Sequence, residues 1–204
     1  MRIMRNLLAV AVLSSATPWC AIAAPTVGAP APAFTATDTH GKKISLADQK
    51  GKYVVLEWHN QGCPYVVKHY QSGNMQRLQK ELTGKGVVWL TVISSAPGKQ
   101  GHVSPAEADA YVKEQGAAPT AVLLDDDGSV GHLYGAKTTP HMFVIDDKGT
   151  LVYAGAIDDK PTTDQADVPG AKSYVLAAYQ EAKAGKPVTT ATTAPYGCSV
   201  KYGN

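Results

Sequence analysis

Two cysteines carry the chemistry this sequence can do once its leader is set aside: Cys63 and Cys198. Cys63 sits in Trp58-His59-Asn60-Gln61-Gly62-Cys63-Pro64-Tyr65-Val66-Val67-Lys68, directly after the apolar run Tyr53-Val54-Val55-Leu56. That order reads as a strand, a loop and a cysteine at the start of a helix. Unpaired N–H groups and the positive end of the helix dipole favour a thiolate there. The thiolate is the nucleophilic form, and helix N-termini lower cysteine pKa values. Pro64 suits the first helical position, where a missing N–H costs nothing.

The elements that position Cys63 follow from periodicity. Tyr53–Trp58 is nearly all apolar, as a strand buried on both faces must be. Val67, Tyr70, Leu78 and Leu82 fall on one helical face, interrupted at Ser72-Gly73-Asn74, which predicts a two-piece helix ending at Gly84-Lys85-Gly86. Val87–Ile93 is a second buried strand. Ser104-Pro105-Ala106-Glu107 opens a helix with a capping box. Ala121–Leu124 is a third strand and Val130–Tyr134 a short helix. His141–Asp146 and Leu151–Gly155 form an antiparallel pair around Asp147-Lys148-Gly149. A last helix is expected over Pro169–Lys183, with Tyr174, Val175, Ala178 and Tyr179 inward. Phe34–Thr39 and Ile44–Leu46 add an N-terminal hairpin. Strands alternating with helices argue a three-layer α/β domain.

The ends of the chain differ in character. Met1-Arg2-Ile3-Met4-Arg5 is basic, Leu7–Leu13 is apolar, and Ala21-Ile22-Ala23 is a small-x-small cleavage site: a signal peptide over 1–23, too short for a membrane span. Cys20 suggests a lipid anchor, which the bulky Trp19 before it opposes. The domain then covers 24–186 and a Thr/Ala/Pro-rich tail with Cys198 covers 187–204. The localisation implied is periplasmic or secreted, without membrane insertion after cleavage. Of 19 Lys+Arg, Arg2 and Arg5 leave with the leader, so 17 face 17 Asp+Glu. A near-neutral chain gives no charge argument for nucleic acid.

With Thr138-Thr139-Pro140 opening a strand, this element order resembles the thioredoxin fold. Phe34, His40-Gly41-Lys42-Lys43-Ile44-Ser45-Leu46, Gly51-Lys52-Tyr53-Val54-Val55-Leu56 and Phe143-Val144-Ile145-Asp146 with Lys148-Gly149 resemble the alkyl hydroperoxide reductase/thiol-specific antioxidant superfamily, over about residues 26 to 157. The last helix and cysteine tail are similar to an exported peroxiredoxin-like subgroup of redoxins. The resemblance implies a thioredoxin fold with a central mixed sheet, N-terminal hairpin and C-terminal tail. It also implies a cis peptide after Thr139, beside a backbone edge that receives substrate. Three departures qualify it. Val66 stands where thioredoxins carry a second cysteine. The loop Glu57–Gly62 lacks the proline and threonine of true peroxiredoxins. Pro140 stands where peroxiredoxins carry an arginine, and Arg77, inside the first helix, is the arginine left after leader removal.

The expectation is an exported thiol-disulfide oxidoreductase and antioxidant redoxin. Cys63 is the nucleophile and Cys198 the resolving cysteine. Trp58, Tyr65, Thr139 and Pro140 are the substrate-binding candidates. The substrate is a disulfide-bearing protein or a peroxide, the reductant is thioredoxin-like, and neither a cofactor nor a metal is called for. Cys63 and Cys198 could also form a permanent bridge, worth roughly 4–5 kcal/mol in the chain-entropy model, or no bond. A weak thiol peroxidase is one alternative. A non-enzymatic copper-handling or binding protein is another, drawing on Cys63 with His59, His69, His102 or His141. Asp125-Asp126-Asp127-Gly128 reads as a polar turn rather than a calcium site.

Overall fold

The computed structural model describes residues 24–203; the signal-peptide expectation for 1–23 lies outside them. Thr35–Asp38 (β1) and Lys43–Ser45 (β2) form the N-terminal hairpin. Val54–Trp58 (β3) leads to Pro64–Gln71 (α1) and Asn74–Thr83 (α2), and Val88–Ile93 (β4) follows. Pro105–Gln115 (α3), Ala121–Leu124 (β5) and Ser129–Tyr134 (α4) continue the alternation. Thr138–Thr139 (β6), His141–Ile145 (β7) and Leu151–Gly155 (β8) precede Tyr174–Lys183 (α5), and Cys198–Ser199 (β9) closes the chain.

Seven strands share one mixed sheet in the order β2-β1-β5-β4-β3-β7-β8. β3 is central, parallel to β4 and antiparallel to β7. Alternate residues of β3 therefore serve two cores. Val55 faces α1, α2 and α5, packing with Cys63, Val66, Leu78, Leu82, Val175 and Ala178. Leu56 and Trp58 face the other way, onto Val130, Tyr134 and Phe143. The interruption at Ser72-Gly73 is real: Gly73 adopts φ +73° between α1 and α2, a conformation glycine enters without steric cost. Ser104 and Glu107 make the expected capping box on α3.

One expectation is corrected. The last helix begins at Tyr174, not Pro169. Pro169 lies inside a short 3-10 helix over Gln165–Gly170, Ala171 is extended, and Ser173 caps α5 by accepting from Leu176 N–H. The Ser173 side chain satisfies one of the unpaired amides in the first turn of α5. The tail is held against the domain. Thr193 N–H donates to Ala154 O, Thr193 Oγ1 accepts from Ala156 N–H, and Cys198–Ser199 pairs antiparallel with Thr138–Thr139.

Candidate functional site

Cys63 is the N-cap of α1, with Pro64 at the first helical position. The Cys63 N–H donates to Asn60 O at 3.0 Å, closing the turn that brings the chain out of β3. Asn60 is itself fixed. Its amide donates to Gln100, and its Oδ1 accepts from Gly62 N–H at 2.9 Å. The thiol is wholly buried. It lies against the Thr139 carbonyl, to which Sγ donates at 3.0 Å, and the Thr139–Pro140 peptide is cis. From the other side the Cys198 N–H points at Sγ, 3.4 Å away. Both cysteines are free thiols.

The two thiols are driven in opposite directions. Burial alone pushes the Cys63 thiol up, but the surrounding donors outweigh it. These are the Cys198 side chain, the Thr139 side chain, the Val66 amide at the first turn of α1 and the Cys198 amide, and together they hold Cys63 below its ordinary value. The Val66 N–H faces the sulfur without closing a capping hydrogen bond. Burial first, and then proximity to Cys63, raise Cys198 to about 11. The Thr139 hydroxyl is buried without a hydrogen-bond partner. It is a spare donor next to a sulfur that loses its proton on ionisation. The arrangement sets a thiol whose ionisation is favoured, Cys63, beside one whose ionisation is opposed, Cys198.

Of the other sequence candidates, Tyr65 lies on the first turn of α1, its ring 5.7 Å from that of Tyr196 in the tail. Thr139 meets Cys63 directly through its carbonyl, and Pro140 follows it across the cis peptide. Trp58 is not brought to the site. It is fully buried on the opposite face of the sheet, donating to Ser94 Oγ at 3.0 Å. His141 also turns away, onto Phe143, with Nδ1 accepting from Lys137 N–H. Among the described residues no group of three or more His, Cys, Asp or Glu side chains converges as metal ligands would. Asp125 caps α4 by accepting from Val130 and Gly131 N–H.

Two polar clusters escape sequence reading. Glu57 is wholly buried on β3, on the Cys63 side of the sheet. Its carboxylate accepts from Tyr70 OH (2.8 Å), Gln79 Nε2 (3.1 Å), Trp89 Nε1 (2.8 Å) and Thr91 Oγ1 (3.1 Å). Burial opposes the charge, but His59 and these donors hold the carboxyl below its ordinary value. One anion thus ties α1 and α2 to the central strands under the site. The signal for it was a single charge inside an apolar strand. The second cluster joins Lys68, His69 and Asn74 to Asp158 and Tyr196. Lys68, 1% exposed, donates to Lys160 O at 2.8 Å.

The comparisons with known proteins agree with this geometry. A sequence model of the AhpC/TSA family matches residues 27–154. The thiol-disulfide oxidoreductase ResA of Bacillus thuringiensis subsp. konkukian is 30% identical over 129 residues, covering 62% of this chain and 67% of that protein. Peroxiredoxin-2 of Bos taurus is 30% identical over 159 residues, covering 69% and 73%. Among solved structures, a hypothetical protein from Sinorhizobium meliloti 1021 superposes with a TM-score of 0.71 at 25% identity, covering 89% of this chain and 97% of that one.

Proposed function

The chain belongs to the AhpC/TSA family, with a thioredoxin fold, and within it we propose an exported thiol-disulfide oxidoreductase working through Cys63 and Cys198. The observation that carries the reading is the facing pair: a Cys63 thiol held low and a Cys198 thiol held high, with the Cys198 amide aimed at the Cys63 sulfur. The names of the ResA relatives support the same chemistry.

In the cycle, the Cys63 thiolate attacks one sulfur of a substrate disulfide. A Cys63–substrate bond forms, the substrate S–S bond breaks, and the other substrate sulfur leaves as a thiolate that takes up a proton. Cys198 then gives up its proton and attacks the Cys63 sulfur. The remaining substrate sulfur leaves as a thiol, and a Cys63–Cys198 disulfide remains. Two electrons have passed to the substrate, and a thioredoxin-like dithiol returns them. A low-pKa thiolate is a good leaving group, so the internal disulfide is readily opened at Cys63.

Thr139, Pro140 and Tyr65 are the proposed substrate contacts. The β6 edge is filled by β9, so an incoming disulfide-bearing segment takes the place of the tail. The signal peptide over 1–23 and the periplasmic or secreted location belong to the same proposal, as do a domain over 24–186 and a tail over 187–204. No helix among the described residues is long and apolar enough to cross a membrane.

The test is trapping. The Cys198→Ser protein, mixed with a peptide disulfide and quenched in acid, should carry one peptide on Cys63. Wild type should instead release both peptide thiols and gain a Cys63–Cys198 bond. Absence of an adduct in the variant contradicts the reading. Hydrogen peroxide consumption faster than peptide-disulfide reduction would move the activity to peroxidase.

A further inference from the structure

The tail approaches Cys63 through a side chain that neither the family resemblance nor the redox chemistry calls for. Tyr196 stands two residues before Cys198. Its ring lies against α1, 5.7 Å from the Tyr65 ring and with the Lys68 ammonium 5.9 Å from its centroid. Its hydroxyl donates to Asp158 Oδ1 at 2.5 Å and lies 3.2 Å from His69 Nε2. The protons on this chain can be assigned. Arg77 donates to Asn74 Oδ1, so the Asn74 amide donates to His69 Nδ1. His69 is fully buried and held neutral, so its one proton sits on Nε2 and is given to the Tyr196 oxygen. The phenol thus receives from α1 and gives to the loop after β8, with both lone-pair and proton positions used. Asp158 is fixed in turn, its Oδ1 accepting from Lys160 N–H, while Lys160 O is held by buried Lys68.

The rest of the tail is anchored elsewhere. Val200 N–H donates to Lys137 O, Tyr202 OH donates to Ala136 O, and the Tyr202 ring stacks on His132. Those contacts fix the tail against the segment before Pro140. Tyr196 fixes it against α1, the helix that Cys63 opens.

Resting on the reading of Cys63 and Cys198 as a redox pair, we infer that Tyr196 is a positioning residue for that pair. Its hydroxyl, clasped between Asp158 and His69, registers the tail against α1 so that Cys198 meets the Cys63 sulfur. A hydroxyl held this way acts on the encounter of the two sulfurs, not on their intrinsic reactivity. Removing it lowers the effective concentration of Cys198 at Cys63 and uncovers the nucleophile.

The experiment uses the full mature chain. Tyr196→Phe keeps the ring against α1 and deletes the hydroxyl. Equilibrated with reduced and oxidised glutathione, the variant should hold its Cys63–Cys198 disulfide with an equilibrium constant about tenfold lower than wild type, the low end for losing a hydrogen bond to a charged group. In a Cys198→Ser background, where no internal disulfide can form, Tyr196→Phe should speed iodoacetamide alkylation of Cys63 by a similar factor. Asp158→Asn, which keeps the accepting oxygen, should stay within about threefold of wild type in both assays, while Asp158→Ala should match Tyr196→Phe. A purely structural tyrosine would lower the melting temperature and leave both readouts where they were, and that result overturns the inference. If wild type forms no Cys63–Cys198 bond with glutathione, the redox reading falls. The alkylation pair then still decides whether Tyr196 seats the tail.

Discussion

Gly197→Ala is the sharpest perturbation of the tail, because the clash it creates is with backbone. Gly197 adopts φ +139°, and a Cβ there would stand 2.1 Å from the Thr139 carbonyl oxygen and 2.7 Å from its carbon. That oxygen already receives the Cys63 thiol. Ordinary contact would require β9 to retreat by about 1 Å, enough to break the Cys198 N–H contact with Sγ and the pairing of Cys198 with Thr139. Two net hydrogen bonds lost at about 1 kcal/mol each give roughly 2 kcal/mol. Holding alanine in a glycine-only conformation costs about 1–3 kcal/mol instead. Either route lowers the seated tail relative to the open one by roughly 30-fold. Cys63, wholly buried beneath the tail, should react with iodoacetamide at least tenfold faster, by the same arithmetic. The assay is alkylation of the reduced protein followed by intact mass, with Gly203→Ala as control, since a Cβ there meets nothing closer than 3.6 Å. Unchanged Cys63 alkylation in Gly197→Ala would refute the reasoning that the tail covers the nucleophile in this register.

Other outcomes follow from the same contacts. Cys198→Ala removes a side-chain donor to the Cys63 sulfur, so the pH profile of Cys63 alkylation should move up relative to wild type; a profile that stays put contradicts the assigned cause of the low thiol value. Glu57→Ala leaves Tyr70, Gln79, Trp89 and Thr91 without their buried acceptor and should cost about 3–5 kcal/mol in urea unfolding, against about 1 kcal/mol or less for the half-buried, surface-paired Glu81→Ala. Burial holds His69 and His141 near 4 in the fold, whereas each titrates near 6.5 when unfolded. Below about pH 6.5 the unfolded chain therefore binds protons the folded chain refuses. Stability should fall between pH 6.5 and 4 by up to roughly 2–3 kcal/mol per pH unit, and a flat urea midpoint over that range contradicts it.

Elements that bury a pattern were legible in the sequence. Val54–Trp58 announced itself by an unbroken apolar run, α3 by its capping box, and the α1–α2 break by Ser72-Gly73-Asn74. The pairing of β7 with β8 was legible from Asp147-Lys148-Gly149. What stayed hidden depends on long-range partners. β9 is two residues long and exists because Thr138–Thr139 offers an edge, which leaves no periodic trace. The start of α5 was misplaced because Pro169 mimics a first helical position, while Ser173 provides the actual cap. Trp58 adjoins the Cys63 loop in sequence, which makes it a candidate for lining the site. The two-residue alternation of β3 places it with Leu56, on the face away from Cys63. Asp158 and Tyr196 meet His69 across 89 and 127 residues, and nothing local in either segment marks them as partners.

The central claim is that Cys63 and Cys198 exchange electrons rather than staple the fold. The direct measurement is the reduction potential of the wild-type pair, read by mass spectrometry across glutathione and dithiothreitol redox buffers. A low-pKa Cys63 facing a seated, protonated Cys198 predicts one internal disulfide with a potential above about −300 mV. A potential below about −300 mV, the range of structural disulfides, or no internal disulfide at any poise, would contradict the account.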